Sequence, residues 1–108
     1  MCRIYAGTDP AHYEPVTRSL RLHGAVTSIR LEARFWAILD EMAQGDGVTT
    51  PKFIAKLHDE VLDLHGEVRN FTSLLRVVCA VYLGRHQPSE PQHLPWPAKR
   101  RIEREVAL

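Results

Sequence analysis

The sequence predicts a mainly α-helical fold with a short β-ribbon, and three observations lead to this prediction. Within the segment 26–31, apolar Ile29 and Leu31 alternate with polar Ser28 and Arg30, which is the two-residue period of a strand. Directly afterwards the apolar spacing changes to that of a helix, at Phe35, Ile38, Leu39 and Met42. Two further segments with helical character follow, at 50–65 and 71–84. We therefore expect one small ribbon that leads into three helices.

The strand at 26–31 runs straight into the first helix. The strand-helix unit that they form contains no second strand to pair with the first. An unpaired strand leaves backbone donors and acceptors open along its edge. An antiparallel copy of the same strand from a second chain would satisfy them. The sequence therefore predicts a homodimer joined at this strand.

An additional strand is expected upstream, after an irregular arm at 1–16 that contains Gly7, Pro10 and Pro15. Over 17–23 polar residues alternate with Leu20 and Leu22, and a two-residue turn at Gly24-Ala25 would close a hairpin of type II′. This turn pairs His23 with Val26 and Leu20 with Ile29. Leu20 and Ile29 then share the core face, and the opposite face carries Ser19, Arg21, Ser28 and Arg30.

The first two helices have recognisable ends. The helix at 33–44 stops at Gly45-Asp46-Gly47, where a glycine can adopt the left-handed cap conformation. Thr49 is the expected N-cap of the second helix, with Pro51 in its first turn. This helix has one apolar face, continues to about His65 and ends at Gly66.

The third helix, 71–84, follows Asn70 as its cap and is apolar on almost every side. Such a helix must be covered on several faces, and a dimer core is the expected cover. The main domain is thus predicted at 17–84. A Pro-rich linker and a short basic helix are expected over 85–108, with cations at Lys99, Arg100, Arg101 and Arg104. Ile102 and Val106 could anchor this tail on a protein partner.

Composition and charge restrict the function classes. Lys and Arg number 14 against 13 Asp and Glu, so any attraction to nucleic acid must come from local charge placement. No apolar run approaches the roughly 20 residues of a membrane-spanning helix. The two cysteines form no disulfide framework, and the first residues lack the apolar core of a secretory signal. We expect a cytoplasmic protein without membrane contact.

Neither catalysis nor metal binding is expected from the sequence. No nucleophile-base grouping, phosphate loop or supported carboxylate pair is present, so we expect no enzyme, no catalytic residue and no cofactor. His58 and His65 lie seven residues apart on the second helix. That spacing corresponds to about 10 Å, which is too far for one ion to bind both residues. A metal site would need a second protomer, and none is predicted.

The segment 26–65 contains S-I-R-L-E, then F-W-x-x-L-x-x-M-A, then G-V-T and I-x-x-L. In this order and with these gaps, the elements resemble the ribbon-helix-helix family of small dimeric DNA-binding proteins, in a bacterial subgroup that is uncharacterised. The resemblance implies that two strands pair across the dimer axis and enter the major groove. It also implies a dimer core that consists of Ile29, Leu31, Phe35, Leu39, Ile54 and Leu57.

The same resemblance implies roles for polar residues. Ser28 and Arg30 match the positions that read base edges, and Arg30 could bind guanine O6 and N7. The start of the second helix matches a phosphate clamp made of Thr49, Thr50 and Lys52, although Pro51 removes one amide. Arg34, together with Arg21 or Arg18, would add attraction to the DNA backbone.

The function implied by the resemblance is sequence-specific binding of double-stranded DNA, as a transcriptional regulator. The upstream strand favours an alternative, because pairing it would give the dimer a sheet of four strands at about 4.8 Å spacing. This sheet is wider than a groove of about 12 Å comfortably admits. The alternative is a dimeric protein-interaction module, antitoxin-like or scaffolding, that does not read DNA.

Overall fold

The computed structural model describes residues 2–85, without the side chain of Cys2. A short helix α1 (Cys2–Ala6) and a 3₁₀ turn (Pro10–Tyr13) precede two strands, β1 (Pro15–Leu22) and β2 (Ala25–Glu32). Three helices follow, which are α2 (Ala33–Gly45), α3 (Thr50–His65) and α4 (Phe71–Arg85). The mainly α-helical class with a β-ribbon is confirmed. The linker and basic helix expected over 85–108 lie outside the described residues, apart from Arg85.

The strands form an antiparallel hairpin whose register differs from the expected one. Leu22 is opposite Ala25, and Leu20 is opposite Thr27. The turn is therefore at His23-Gly24, with φ of +54° and +81°, as a type I′ turn requires. The expected turn at Gly24-Ala25, and with it the Leu20-Ile29 pair, is wrong by a slip of two residues. The faces are as predicted, because a two-residue slip preserves side-chain parity.

The pairing within the hairpin overturns one premise of the sequence analysis. All eight residues of β2 pair with β1 of the same chain, so β2 is not a lone strand. Its partner is the upstream strand that the sequence predicted, which starts at Pro15 rather than at residue 17. The remainder of the arm is also more regular than expected, with α1 and the 3₁₀ turn in place of irregular chain. In this two-stranded sheet, β2 keeps one open edge.

Local capping sets the ends of α3 as the sequence predicted. The Thr49 side chain accepts a hydrogen bond from the Lys52 amide at 3.3 Å, which is the N-cap arrangement. At the other end, Gly66 adopts φ of +78° and donates its N–H to the Leu62 carbonyl. These interactions need only neighbouring residues, so they could be recognised in the sequence.

The core lies between the inner face of the hairpin and the three helices, and it closes within one chain. Of the residues expected to form a dimer core, four are buried inside this single protomer, namely Ile29, Leu31, Leu39 and Ile54. Phe35 and Leu57 are partly buried and pack against them. Their burial therefore needs no second copy.

Trp36 connects the first strand to this core. Its side chain is 2% exposed, and its Nε1 donates a hydrogen bond of 2.8 Å to the Val16 carbonyl of β1. A buried indole needs a partner for its N–H, and the strand backbone provides one. Trp36 is thus a packing residue beneath β1, rather than an exposed partner site.

Helix α4 lies beside β2 and α2 and is buried on one side only. Leu75 and Cys79 are fully buried, and the Cys79 thiol lies 3.7 Å from the Phe35 carbonyl. On the opposite side, Val77 and Val81 are 57% and 51% exposed. The chain itself therefore covers only part of this apolar helix. None of the described helices combines the length and the apolar character needed to cross a bilayer.

Candidate nucleic-acid interface

The outward face of the hairpin carries the residues expected to read DNA. Because alternate strand residues point to opposite faces, the even-numbered side chains of β2 share this face with the odd-numbered ones of β1. Arg30 is opposite Thr17, and Ser28 is opposite Ser19. The exposed members of this face include Thr17, Ser19, Arg21, Val26, Ser28 and Arg30. The arrangement is a polar, hydrogen-bonding surface on a two-stranded ribbon.

Arg30 is available for an external acceptor. Among the described residues its guanidinium has no hydrogen bond, and it interacts with Glu32 only through space. Arg21 uses one of its hydrogen-bond donors within the chain, since its Nη1 donates to the Gly24 carbonyl at 3.2 Å. Arg34 is exposed in the first turn of α2. These cations keep most of their donors free for base edges or phosphates.

Arg18 has a different role from the one the sequence analysis allowed it. It lies on the inner face, donates two hydrogen bonds to Asp40 and has its guanidinium 4.4 Å from the centre of the Trp36 ring. Its guanidinium is therefore engaged within the fold, which favours Arg21 over Arg18 as the DNA-backbone contact. Strand parity could have revealed this, because Arg18 shares its face with the core residue Leu20.

The start of α3 offers less to a phosphate than the resemblance implies. The Lys52 amide is already bound by the Thr49 side chain, and Pro51 has no N–H. The hydroxyl of Thr50 donates to Asp40 Oδ1 at 2.7 Å. The Thr50 amide lacks an intrahelical partner, and the Lys52 ammonium is exposed, so these two groups remain for an anion.

Glu32, at the end of β2, is the acidic group closest in sequence to Arg30, and it is neutralised by a cation. Arg76 of α4 donates to both carboxylate oxygens, at 2.9 and 3.3 Å. This pairing holds the pKa of Glu32 below its usual value, so the carboxylate stays ionised and paired. Arg76 could not be recognised from the sequence as the partner of Glu32, because the two residues are 44 positions apart. The pair reduces the repulsion that Glu32 would exert on a nearby phosphate.

A second cluster of polar side chains, with atoms that could bind a metal ion, lies at the turn end of the hairpin. His23, His58 and Asp59 are the one group of potential metal ligands found among the described residues. The spacing of the histidines along α3 gives no sign of this group, because His23 lies far from His58 in the sequence.

Comparison with known proteins agrees with this architecture. The chain is similar in structure to an uncharacterized protein from Bordetella pertussis Tohama I, with a TM-score of 0.77 and 41% sequence identity. The match covers 86% of this chain and 75% of that one. No curated protein shows a significant match. A family model described as a ribbon-helix-helix domain matches residues 15–83, which include both strands and nearly all of the three long helices. The chain belongs to the ribbon-helix-helix domain family.

Proposed function

We propose that this protein is a cytoplasmic homodimer that binds double-stranded DNA in a sequence-specific manner, as a transcriptional regulator. The observation that carries the proposal is the exposed ribbon face on which Arg30 keeps its guanidinium free beside Ser28. An arginine with free donors can form two bonds with guanine in the major groove. Membership of the ribbon-helix-helix family supports the same mode of binding.

The open edge of β2 supports dimerisation at this strand. In a two-residue hairpin, Leu22 and Ala25 exchange both backbone hydrogen bonds, and every second residue along β2 does the same with β1. The remaining residues of β2, which are Val26, Ser28, Arg30 and the terminal Glu32, therefore direct their backbone groups away from β1. A second copy of β2 would pair with these groups in an antiparallel arrangement.

The exposed side of α4 supports the same dimer. Helix α4 packs against β2, whereas α3 packs against β1, so α4 flanks the strand with the proposed interface. Its exposed apolar residues, Val77, Val81 and Leu83, would be covered when two protomers join along β2. Burial of apolar surface contributes about 25 cal/mol per Å². Strand pairing and helix packing would thus stabilise the dimer together.

The dimer would contain four strands in the order β1-β2-β2-β1. The outer strand axes would be about 14 Å apart, since neighbouring strands are about 4.8 Å apart. The major groove is about 12 Å wide. We place the two β2 strands in the groove and the β1 strands at its rims. In this position Arg21 of each β1 would reach phosphates, while Arg30 of each β2 would reach bases.

Fluorescence anisotropy with a random-sequence duplex tests DNA binding directly. We expect the logarithm of the association constant to fall linearly with the logarithm of salt concentration, because bound cations release counterions from DNA. Selection from random oligonucleotides should then enrich one sequence with twofold symmetry. Size-exclusion chromatography with light scattering should give twice the chain mass.

A specific observation favours the alternative of a dimeric protein-interaction module. β1 pairs with β2 along its full length, so the sheet cannot narrow unless eight residue pairs open. If the wild-type dimer shows no salt-sensitive binding to any duplex, DNA recognition is refuted and the interaction module replaces it.

A further inference from the structure

We propose that His23, His58 and Asp59 form a binding site for a divalent transition-metal ion of the zinc class. The site joins the turn of the hairpin to the middle of α3. None of its three ligands belongs to the proposed DNA-binding face, and the proposal does not depend on DNA binding. Its donor set contains two imidazole nitrogens and one carboxylate oxygen.

The turn conformation brings His23 to α3. Its positive φ directs the chain so that His23 Nε2 lies 2.8 Å from Asp59 Oδ1. The ring of His23 also contacts the ring of His58 edge-on, with centroids 5.2 Å apart. One ligand atom from each of the three residues lies within 4.8 Å of the other two. Residues 35 positions apart in the chain thus form one compact group.

These distances are close to those of an occupied site. Zinc binds nitrogen and oxygen at about 2.0–2.2 Å, so the ligands of a tetrahedral ion are about 3.4 Å apart. Since the ligand atoms lie within 4.8 Å of one another, the widest separation would have to shrink by at most about 1.4 Å. His23 and Asp59 have side chains that are 54% and 56% exposed, which leaves them free to rotate. Small side-chain rotations would therefore complete the geometry.

His58 provides an independent indication of a missing ligand. Its Nδ1 is buried and has no hydrogen-bond partner within the described part of the chain. A buried polar nitrogen without a partner destabilises the folded state, because it has lost its hydrogen bond to water without gaining another. The His58 ring is oriented by Phe71, whose ring lies edge-on at 5.0 Å. The structure thus holds the imidazole in place while its buried nitrogen remains unused.

Space next to the group would admit further ligands. A cavity of about 460 Å³ is lined by both histidines together with residues of β2 and of the α4 start, including Thr27, Ser28, Asn70 and Ser73. Water molecules there could occupy the remaining coordination positions. Two histidines and one carboxylate favour zinc, cobalt or nickel over magnesium and calcium, which prefer all-oxygen sites.

Calorimetric titration of tag-free, chelator-treated protein with Zn²⁺, at about pH 7.5 so that the imidazoles are free to bind, tests the site. We expect a binding stoichiometry of one zinc ion per chain. Excess metal should also raise the unfolding temperature, since the ion binds only the folded protein. Titration with Co²⁺ should produce the visible absorption bands of a nitrogen and oxygen site. His23→Asn, which tolerates the positive φ of the turn, and Asp59→Asn should each weaken binding at least tenfold.

Matched controls separate this site from adventitious binding. His65→Asn and Asp63→Asn change the same residue types on α3 outside the group, and both should bind Zn²⁺ like the wild type. Circular dichroism would confirm that each variant is folded. The proposal is overturned if the wild type does not bind one ion per chain, or if His23→Asn and Asp59→Asn bind as tightly as the two controls. The three residues would then be only a surface ion pair with an adjacent ring contact.

Discussion

Arg18 of β1 donates two hydrogen bonds to Asp40 of α2, from Nη1 to Oδ1 at 2.9 Å and from Nη2 to Oδ2 at 3.1 Å. The same carboxylate accepts a hydrogen bond from Thr50 at the start of α3. Asp40 therefore connects the ribbon, the helix that follows it and the helix whose N-terminus would face DNA. This connection sets the orientation of the ribbon relative to the helices.

Arg18→Lys should reduce the free energy of unfolding by about 1–2 kcal/mol. Lysine keeps the charge but cannot form the two-pronged contact with Asp40 or stack its head group on Trp36 as a planar guanidinium does. Urea denaturation monitored by circular dichroism measures the change. The control is Arg21→Lys, which alters an exposed arginine with a single bond to a carbonyl and should cost less than about 0.5 kcal/mol. Equal losses in both variants would contradict the role of Arg18.

Asp40 should make stability sensitive to acid. Hydrogen bonds from Arg18, and then from Thr50, hold the pKa of Asp40 below its ordinary value of 3.8. A lowered pKa in the folded state means that the contribution is present above about pH 4 and is lost as the pH falls through the folded-state pKa. Urea midpoints at about pH 6 and about pH 3 should therefore differ more for wild type than for Asp40→Asn. Asp63→Asn should retain the wild-type difference, and a similar reduction there would refute the assignment.

Arg30→Ala should weaken binding to a selected DNA site more than binding to random duplex. Loss of one bidentate guanine contact costs about 1–3 kcal/mol, or roughly 5- to 150-fold in affinity, and the dimer would lose two. Random DNA offers only phosphate contacts and should lose little. Anisotropy titrations at fixed salt measure both affinities. Arg69→Ala, which alters a loop arginine paired with Glu67, is the control and should leave both unchanged. Equal weakening on both duplexes would make Arg30 a backbone contact.

Val77→Glu should shift the dimer toward monomers. This residue is at the centre of the exposed side of α4, and a charge there would have to be buried in the proposed interface. Light scattering over a range of protein concentrations measures the dissociation constant, which should rise at least tenfold. Ile4→Glu, at an exposed aliphatic residue of α1, is the control and should not change it. A dimer unaffected by Val77→Glu would place the interface elsewhere.

Cys79 should be unreactive in the folded protein. Burial raises the pKa of its thiol to about 11, against a small opposing effect of Arg34. The thiolate is the reactive form, so both its scarcity and its burial protect Cys79. In a Cys2→Ser background, which leaves Cys79 as the remaining cysteine, iodoacetamide at about pH 8 should modify the protein only after unfolding in urea. Modification at equal rates in folded and unfolded protein would contradict this burial.

The sequence predicted those parts of the fold that depend on near neighbours. Thr49 and Gly66 define α3 through contacts within one turn, and the alternation around Ile29 assigned each strand residue to its face. Turn position was less well determined, because a slip of two residues leaves the faces unchanged. His23 adopts a left-handed backbone conformation that few residues tolerate, and its contacts with α3 stabilise this conformation.

By itself, then, the amino-acid sequence determined the two strands of the ribbon, the three long helices, the ends of α3 and the exposed ribbon face with Ser28 and Arg30. Tertiary structure alone decided the register of the hairpin, the contact of Arg18 with Asp40 and the contact of His23 with Asp59. The physical reason is the distance along the chain between interacting residues. Helix caps and strand alternation depend on residues that are a few positions apart. The partners of an ion pair or a ligand group become neighbours only when the chain has closed around its core.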